Sequence, residues 1–127
     1  MSKKATILVV DDSPFASKQI KDLVEKADYE VIAYAKNGEE GIQMYEELHP
    51  DIVIMDIIMP GMDGIETAGI IVSRDKNARI MMLSSLCDEG TMEEIKAIGL
   101  KYLLPKPWED DVLIATLELL LKQKDKE

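Results

Sequence analysis

Short, mainly apolar runs alternate along the chain with longer segments in which apolar residues recur every three or four positions. The runs at residues 6–10, 29–35, 52–55, 79–84 and 102–104 predict β-strands, and the segments that follow them predict helices. The run 29–35 (YEVIAYA) alternates apolar and polar residues, which favours an edge strand, whereas 52–55 (IVIM) predicts a central strand covered on both faces. Strands and helices that alternate through short connections are typical of a parallel sheet with right-handed crossovers, so we predict an α/β fold.

Turn and capping residues set the expected helix boundaries. Ser13 followed by Pro14 predicts the start of the first helix, which extends to about residue 27. Asn37-Gly38 predicts the start of the second helix, and His49-Pro50 its end. The remaining helices are predicted at about 65–74, 90–98 and 108–122. The side chains expected to face the core from the second and last helices are Ile42, Tyr45, Leu48, Val112, Leu113, Leu117, Leu120 and Leu121.

Composition limits the classes of function. The 127 residues are enough for one domain, 1–127, in which residues 123–127 (QKDKE) are expected to form a charged, solvated tail. A formal net charge of −10 argues against direct nucleic-acid binding. No apolar stretch reaches the roughly 18 residues of a membrane helix, and no signal peptide is recognised. A single cysteine, Cys87, excludes an internal disulfide, and together these features favour the cytoplasm.

Polar side chains stand where four of the predicted strands end. Asp11 and Asp12 follow the first strand, Asp56 the third, Ser84 the fourth and Lys106 the fifth. Because the carboxyl ends of parallel strands meet at one edge of a sheet, these residues are expected to converge on a single cleft. Two carboxylates about 4 Å apart repel by roughly 4 kcal/mol at an effective dielectric near 20. Such a cluster needs a cation, and Mg²⁺, with Mn²⁺ as a substitute, suits its oxygen ligands best.

This combination of groups is what an aspartyl phosphate requires. The Asp56 carboxylate is the candidate nucleophile, and it needs no general base because it is ionised at neutral pH. Mg²⁺, the Ser84 hydroxyl and the Lys106 ammonium are the candidate partners of the three equatorial oxygens of the transferred phosphoryl group.

Over essentially its whole length the chain resembles the receiver domain of two-component response regulators. The matching segments are VVDDS (9–13), DIVIMDIIMPGMDG (51–64), MLSS (82–85) and KPW (106–108). The resemblance implies a (βα)5 flavodoxin-like three-layer sandwich with a parallel sheet in the order 2-1-3-4-5. It also implies that Asp56 accepts a phosphoryl group from a sensor histidine kinase or a small phosphodonor in a phosphorelay, which switches a protein-binding surface.

The resemblance assigns roles to the other site residues. Asp12 becomes the main metal-binding carboxylate, and Asp11 acts from outside the direct ligands or through a bound water. Asp56 and the backbone carbonyl of Ile58 complete the protein ligands. Ser84 takes the hydroxyl role, where threonine is commoner, and Lys106 takes the phosphate-binding role. The peptide bond between Lys106 and Pro107 is expected to be cis.

One departure from the family pattern concerns the switch. Leu103, three residues before Lys106, occupies the position of the usual switch aromatic. Tyr102 is one residue earlier and is expected to point to the opposite face of its strand. A switch in this chain is therefore predicted to run through the loop at 84–89 and the fourth helix.

Other functions are considered beside this one. In one alternative, the only role of Asp11, Asp12 and Ser13 is to cap the first helix. A phosphohydrolase of the haloacid-dehalogenase type would need an aspartate at Ile58, and in a flavodoxin Asp11-Asp12 would repel the flavin phosphate. A receiver that serves only as an interaction module stays open. The favoured interpretation is a chemotaxis-like regulator without independent substrate turnover, which binds an unknown downstream protein and is a monomer or a phosphorylation-dependent dimer. Neither direct nucleic-acid binding nor membrane insertion is expected.

Overall fold

Five β-strands alternate with five α-helices along residues 3–126, the part of the chain that the computed structural model describes. The elements are β1 (Thr6–Val10), α1 (Pro14–Lys26), β2 (Glu30–Ala35), α2 (Gly38–Leu48), β3 (Ile52–Asp56), α3 (Gly64–Arg74), β4 (Ile80–Ser84), α4 (Glu89–Ala97), β5 (Tyr102–Pro105) and α5 (Asp110–Lys122). All strand pairs are parallel, in the order β2-β1-β3-β4-β5. The predicted fold, strand order and edge position of β2 are confirmed. No helix within residues 3–126 is long and apolar enough to cross a bilayer.

Alternate side chains of the strands pack into two separate apolar layers. Leu8 and Val10 of β1 face one layer, which α2, α3 and α4 cover, whereas Ile7 and Val9 face the other, which α1 and α5 cover. All five residues of β3 are buried, as predicted for a central strand. Because both faces are covered, the edge formed by the carboxyl ends of the strands is where polar side chains can converge.

Side-chain caps explain most of the helix boundaries. The Ser13 hydroxyl accepts the N–H of Ala16 (3.2 Å), and the Asn37 side chain accepts the N–H of Glu40 (2.8 Å). At the end of α4, Gly99 adopts φ +89, and its N–H donates to the carbonyl of Lys96, as in a Schellman motif. The helix starts at Ser13 and Asn37 were predicted from the sequence.

Three predicted details of the helices are wrong. Helix α5 begins at Asp110 and not at residue 108. Val112 in its first turn is 44% exposed, because the buried stripe of α5 passes through Leu113, Leu117 and Leu120. Leu48 is 46% exposed, since it is the last residue of α2, where His49 (φ 48) turns the backbone out of the helix.

In the expected charged tail, residues 124–126 are exposed, Gln123 is half-buried and residue 127 lies outside the described residues, and hydrogen bonds connect this segment to the loop before β4. A guanidinium nitrogen of Arg79 donates to the carbonyl of Gln123 (2.7 Å) and to the carboxylate of Asp125 (3.1 Å). The N–H of Lys126 donates to the side chain of Asn77 (2.7 Å). The carbonyls at a helix end need donors, and Arg79 supplies them from the loop before β4.

Removal of the hydroxyl group from two core tyrosines is expected to have different effects on the free energy of unfolding. Tyr29 is fully buried, and its hydroxyl has no hydrogen-bond partner within residues 3–126. We expect Tyr29→Phe to leave the free energy of unfolding unchanged or to raise it by up to about 1 kcal/mol, since an unpaired polar group is removed. The Tyr45 hydroxyl donates to Asp75 (2.6 Å), so Tyr45→Phe is expected to cost about 1–2 kcal/mol. Urea unfolding of both variants measures the contrast, and equal losses of stability would contradict it.

Candidate functional site

Three carboxylates meet at the carboxyl edge of the sheet. Asp11 and Asp12 directly follow β1, and Asp56 is the last residue of β3, the strand next to β1. The pairing of Val10 with Met55 places Asp11 and Asp56 side by side one residue later. One oxygen from each of Asp11, Asp12 and Asp56 lies within 4.8 Å of the others. The convergence predicted from the strand ends is therefore present in the fold.

The lysine of the site comes from the loop after β5. Its ammonium nitrogen lies 2.7 Å from Asp11 Oδ2 and 3.4 Å from Asp56 Oδ2. The N–H of Lys106 donates to the carbonyl of Ser84 (2.9 Å), which fixes the start of this loop, and the peptide bond to Pro107 is cis, as expected. Lys106 thus contacts both buried carboxylates, but its shorter contact is with Asp11.

Burial and charge act against each other in this cluster. Burial and the neighbouring Asp11 carboxylate raise the pKa of Asp56 above its usual value, and the opposing effect of Lys106 is smaller. Burial alone would lower the pKa of the Lys106 ammonium, but its hydrogen bond to Asp11 and the charges of Asp11 and Asp56 outweigh burial and raise that pKa. The ammonium compensates only part of the negative charge, so the cluster favours a further cation.

The donor set fits a hard divalent cation. Asp11 and Asp56 are buried, whereas Asp12 is exposed and open to solvent. Carboxylate oxygens with access to water are the ligands that Mg²⁺ prefers. Asp11 also accepts the N–H of Ser13 (2.8 Å), so the helix-capping role considered for this segment coexists with the cluster.

Ser84 is placed on the adjacent strand and is fully buried at the end of β4. Its hydroxyl oxygen accepts the N–H of Leu86 (2.9 Å), a local bond to the backbone two residues later. A hydroxyl that accepts one hydrogen bond still has its own hydrogen to donate. The side chain of Ile58, two residues after Asp56, is 51% exposed, and its carbonyl remains a predicted ligand.

Gly64, to which the sequence pattern assigns no role in the site, packs against the backbone of the candidate nucleophile. Gly64 is the first residue of α3, and its N–H donates to the carbonyl of Ile57 (2.7 Å). A Cβ atom at this position would lie 2.2 Å from the carbonyl oxygen of Asp56. The start of α3 therefore packs directly on the backbone that presents Asp56, and only glycine leaves room for this contact.

The residues of β5 point to opposite faces, as predicted. Leu103 packs against the layer covered by α2, α3 and α4, and Tyr102 packs against the layer covered by α1 and α5. Leu103 thus lies on the face of the sheet that α4 covers. The aromatic ring of Tyr102 lies on the far side of the sheet from α4.

Comparison with known proteins agrees with this geometry. Residues 7–118 match the model of the response regulator receiver domain family. The chain is 38% identical to the chemotaxis protein CheY of Listeria monocytogenes over 116 residues, which cover 91% of this chain and 98% of that protein. It is 37% identical to CheY of Bacillus subtilis over 115 residues, 91% of this chain and 96% of that protein.

Solved structures show the same architecture. The crystal structure of the CheX–CheY–BeF3–Mg²⁺ complex from Borrelia burgdorferi contains a chain 33% identical, with a TM-score of 0.87 over 91% of this chain and 87% of that one. The response regulator domain of Thermotoga maritima CheB is 29% identical, with a TM-score of 0.85 over 98% of this chain and 99% of that one.

Proposed function

The chain belongs to the response regulator receiver domains, the signalling domains of two-component and chemotaxis systems that are phosphorylated on aspartate, and from this premise we propose that Asp56 is its phosphoacceptor. The observation that supports this most strongly is the meeting of three carboxylates within 4.8 Å, with the Lys106 ammonium 2.7 Å from Asp11. Of the three, Asp56 is the one at the end of the central strand, between β1, which Asp11 and Asp12 follow, and β4, which ends in Ser84.

Receiver domains bind Mg²⁺ at an acidic pocket, and we assign this role here to the cluster of Asp11, Asp12 and Asp56. The exposed Asp12 is the carboxylate best placed for an ion that keeps several waters, and the Ile58 carbonyl is the proposed additional ligand. When bound, the ion would offset negative charge on the cluster and on the phosphoryl group.

In the proposed reaction an Asp56 oxygen attacks the phosphorus of a phosphohistidine or an acyl phosphate. One O–P bond forms while the P–N or P–O bond to the donor breaks, and the leaving group departs with the electron pair of that bond. Lys106 already contacts Asp56 (3.4 Å), so a small shift of its ammonium would bring it to a phosphoryl oxygen. The Ser84 hydroxyl can donate to another oxygen by rotation of its O–H bond.

Phosphorylation replaces the single charge of the Asp56 carboxylate with a phosphoryl group that carries roughly −1.5 to −2 charges beside Lys106 and Ser84. We propose that drawing the Ser84 hydroxyl to the phosphoryl group weakens its bond to Leu86 (2.9 Å) and so moves the loop that leads into α4. This loop is thereby the first part of a switch that alters a protein-binding surface.

Chemotaxis receivers of this type interact with histidine kinases and with downstream proteins, and the Borrelia burgdorferi CheY is described in complex with CheX. We propose corresponding partners for this chain, a sensor histidine kinase that supplies the phosphoryl group and a protein that binds the switched surface. We further propose that the chain turns over no substrate apart from its own phosphoryl group.

Removal of the metal tests the proposed chemistry. Incubation with acetyl phosphate and Mg²⁺ is expected to add one phosphoryl group to the intact chain, and chelation by EDTA is expected to reduce the adduct at least about tenfold. Intact-mass spectrometry measures both. If no adduct forms, a stable complex with beryllofluoride and Mg²⁺ would identify a competent site with rapid hydrolysis. Absence of both would contradict the proposal and leave the interaction-only module.

The Leu103 position provides a separate test of the switch. Because the residue beside α4 is leucine, we expect a switch that needs no aromatic ring. Leu103→Tyr should then change the affinity for beryllofluoride in Mg²⁺ by less than about twofold, which calorimetry can measure, with Tyr102→Phe as the control on the opposite face. A tenfold or larger gain in Leu103→Tyr alone would indicate instead that the missing aromatic limits the switch.

A further inference from the structure

The segment at 123–126, which we call the terminal strap, is tied to the loop before β4 by Arg79. The Nε of Arg79 donates to the carbonyl of Leu120 (3.0 Å), and one Nη donates to Gln123 (2.7 Å) and Asp125 (3.1 Å). The guanidinium therefore bonds the last turn of α5 and the strap together. These contacts join residues more than 40 positions apart along the chain, since the three separations are 41, 44 and 46.

The strap also reaches the end of α4. The N–H of Lys126 donates to the Asn77 side chain (2.7 Å), and its ammonium donates to the carbonyl of Gly99 (3.1 Å). Gly99 directly follows Ile98, the C-cap of α4. Through Lys126, the strap thus connects the carboxyl end of α4 to the same loop that Arg79 ties to α5.

Helix α4 is the helix with the fewest buried side chains, so its ends matter for its position. Within α4 only Ile95 is buried, whereas four side chains of α5 are buried (Leu113, Thr116, Leu117 and Leu120). The amino end of α4 follows the loop that starts at Ser84, and its carboxyl end is bonded to Lys126. A helix with so little core packing opens and shifts more readily than its neighbours.

We propose that the terminal strap is a regulatory element that holds α4 in its resting position and so opposes the switch started at Asp56. This inference rests on the proposed function, because the loop at Ser84 links the phosphorylation site to α4. A contact made only in the resting state lowers the apparent affinity of any ligand that favours the other state. Release of the strap should therefore raise the affinity of the site at Asp56 for a phosphoryl analogue.

Hydrogen exchange measures, without any ligand, how strongly the strap stabilises the carboxyl end of α4. In Lys126→Ala, the N–H groups of Gly99 and Leu100, which bond the last turn of α4, are expected to exchange about threefold faster, the size expected for loss of one exposed hydrogen bond. Lys124→Ala is the matched control, since Lys124 lies in the same segment and makes no hydrogen bond or ion pair within residues 3–126. Arg79→Gln, which removes the other attachment, should have the same effect on α4.

Calorimetric titration with beryllofluoride in Mg²⁺ measures the regulatory consequence. Lys126→Ala and Arg79→Gln are expected to bind about threefold more tightly than wild type, and Lys124→Ala equally well. Unchanged exchange in both strap variants, an equal change in Lys124→Ala, or faster exchange without tighter binding would each overturn the proposal. Wild type that binds no beryllofluoride would contradict the proposed function instead, while the exchange data would still decide whether the strap holds α4.

Discussion

Asp56→Asn is expected to abolish the Mg²⁺-dependent phosphoryl adduct, with a loss of more than about a hundredfold in the fraction of chains that acquire a phosphoryl group from acetyl phosphate. The neutral amide offers no ionised oxygen for attack on phosphorus, and neither neighbouring carboxylate replaces it. Asp11 is held by Lys106 (2.7 Å) and by the N–H of Ser13 (2.8 Å). Asp12 is exposed at the rim of the cluster. Intact-mass spectrometry of the variant beside wild type measures the loss.

The same substitution, which removes phosphorylation, is expected to increase the stability of the fold at neutral pH. The pKa of Asp56 is raised in the fold, by burial first and by Asp11 second, so its contribution to stability is present below its unfolded pKa and is lost as the pH rises through the folded pKa. At neutral pH without metal, Asp56→Asn avoids this loss and should raise the denaturation midpoint. The gain should shrink as the pH falls and Asp56 of wild type becomes protonated.

Asp63→Asn is the matched control for both effects. Asp63 is the N-cap of α3, and its carboxylate accepts the N–H of Glu66 (2.8 Å), a bond that an asparagine side chain also accepts. The control removes one negative charge near the site but leaves the cap and the cluster of Asp11, Asp12 and Asp56 intact. An adduct that persists in Asp56→Asn would show that the phosphoacceptor is not Asp56. An adduct that disappears in both variants would show that the loss is not specific to Asp56.

The sequence predicts where the candidate site residues meet, because the geometry of a parallel sheet brings the ends of its strands to one edge. Once 6–10 and 52–55 are recognised as neighbouring parallel strands, the residues that follow them must share an edge of the sheet. The convergence of Asp11, Asp12 and Asp56 therefore depends only on strand order and on where each strand ends. Leu103 and Tyr102 follow from the alternation of side chains along a strand in the same way.

What the sequence could not predict depends on long side chains and on contacts between distant segments. Lys106 has a flexible stem, and only the packed loop decides that its ammonium lies nearer to Asp11 than to Asp56. Residues 123–126 have the composition of a solvated tail, and nothing local indicates that Arg79 is placed to bond them. The predicted buried faces of α2 and α5 are wrong at Leu48 and Val112, which lie in the last turn of α2 and the first turn of α5.

Gly64 is the second position where a large effect is expected, because its contact is with backbone and not with a side chain that could rotate away. A Cβ atom there would lie 2.2 Å from Asp56 O and 2.7 Å from the Cα of Ile57. Either α3 must move away from the sheet or the end of β3 must shift. We expect Gly64→Ala to cost about 3 kcal/mol or more in the free energy of unfolding, at the upper end of the overpacking range. Urea unfolding measures the cost.

Gly69→Ala in the same helix separates this effect from a general response of α3 to alanine. A Cβ atom at Gly69 would be 3.6 Å from Ile98 Cγ2, an ordinary contact, and alanine in a helix interior is better than glycine by roughly 0.5–1 kcal/mol. Gly69→Ala should therefore be neutral or stabilising and should be phosphorylated like wild type. Where Gly64→Ala remains folded, its yield of phosphoryl adduct should still fall, because the shifted backbone is the one that carries Asp56. Full stability and full phosphorylation of Gly64→Ala would mean that α3 can yield without moving the nucleophile, and the close packing of Gly64 on β3 would then have no part in positioning it.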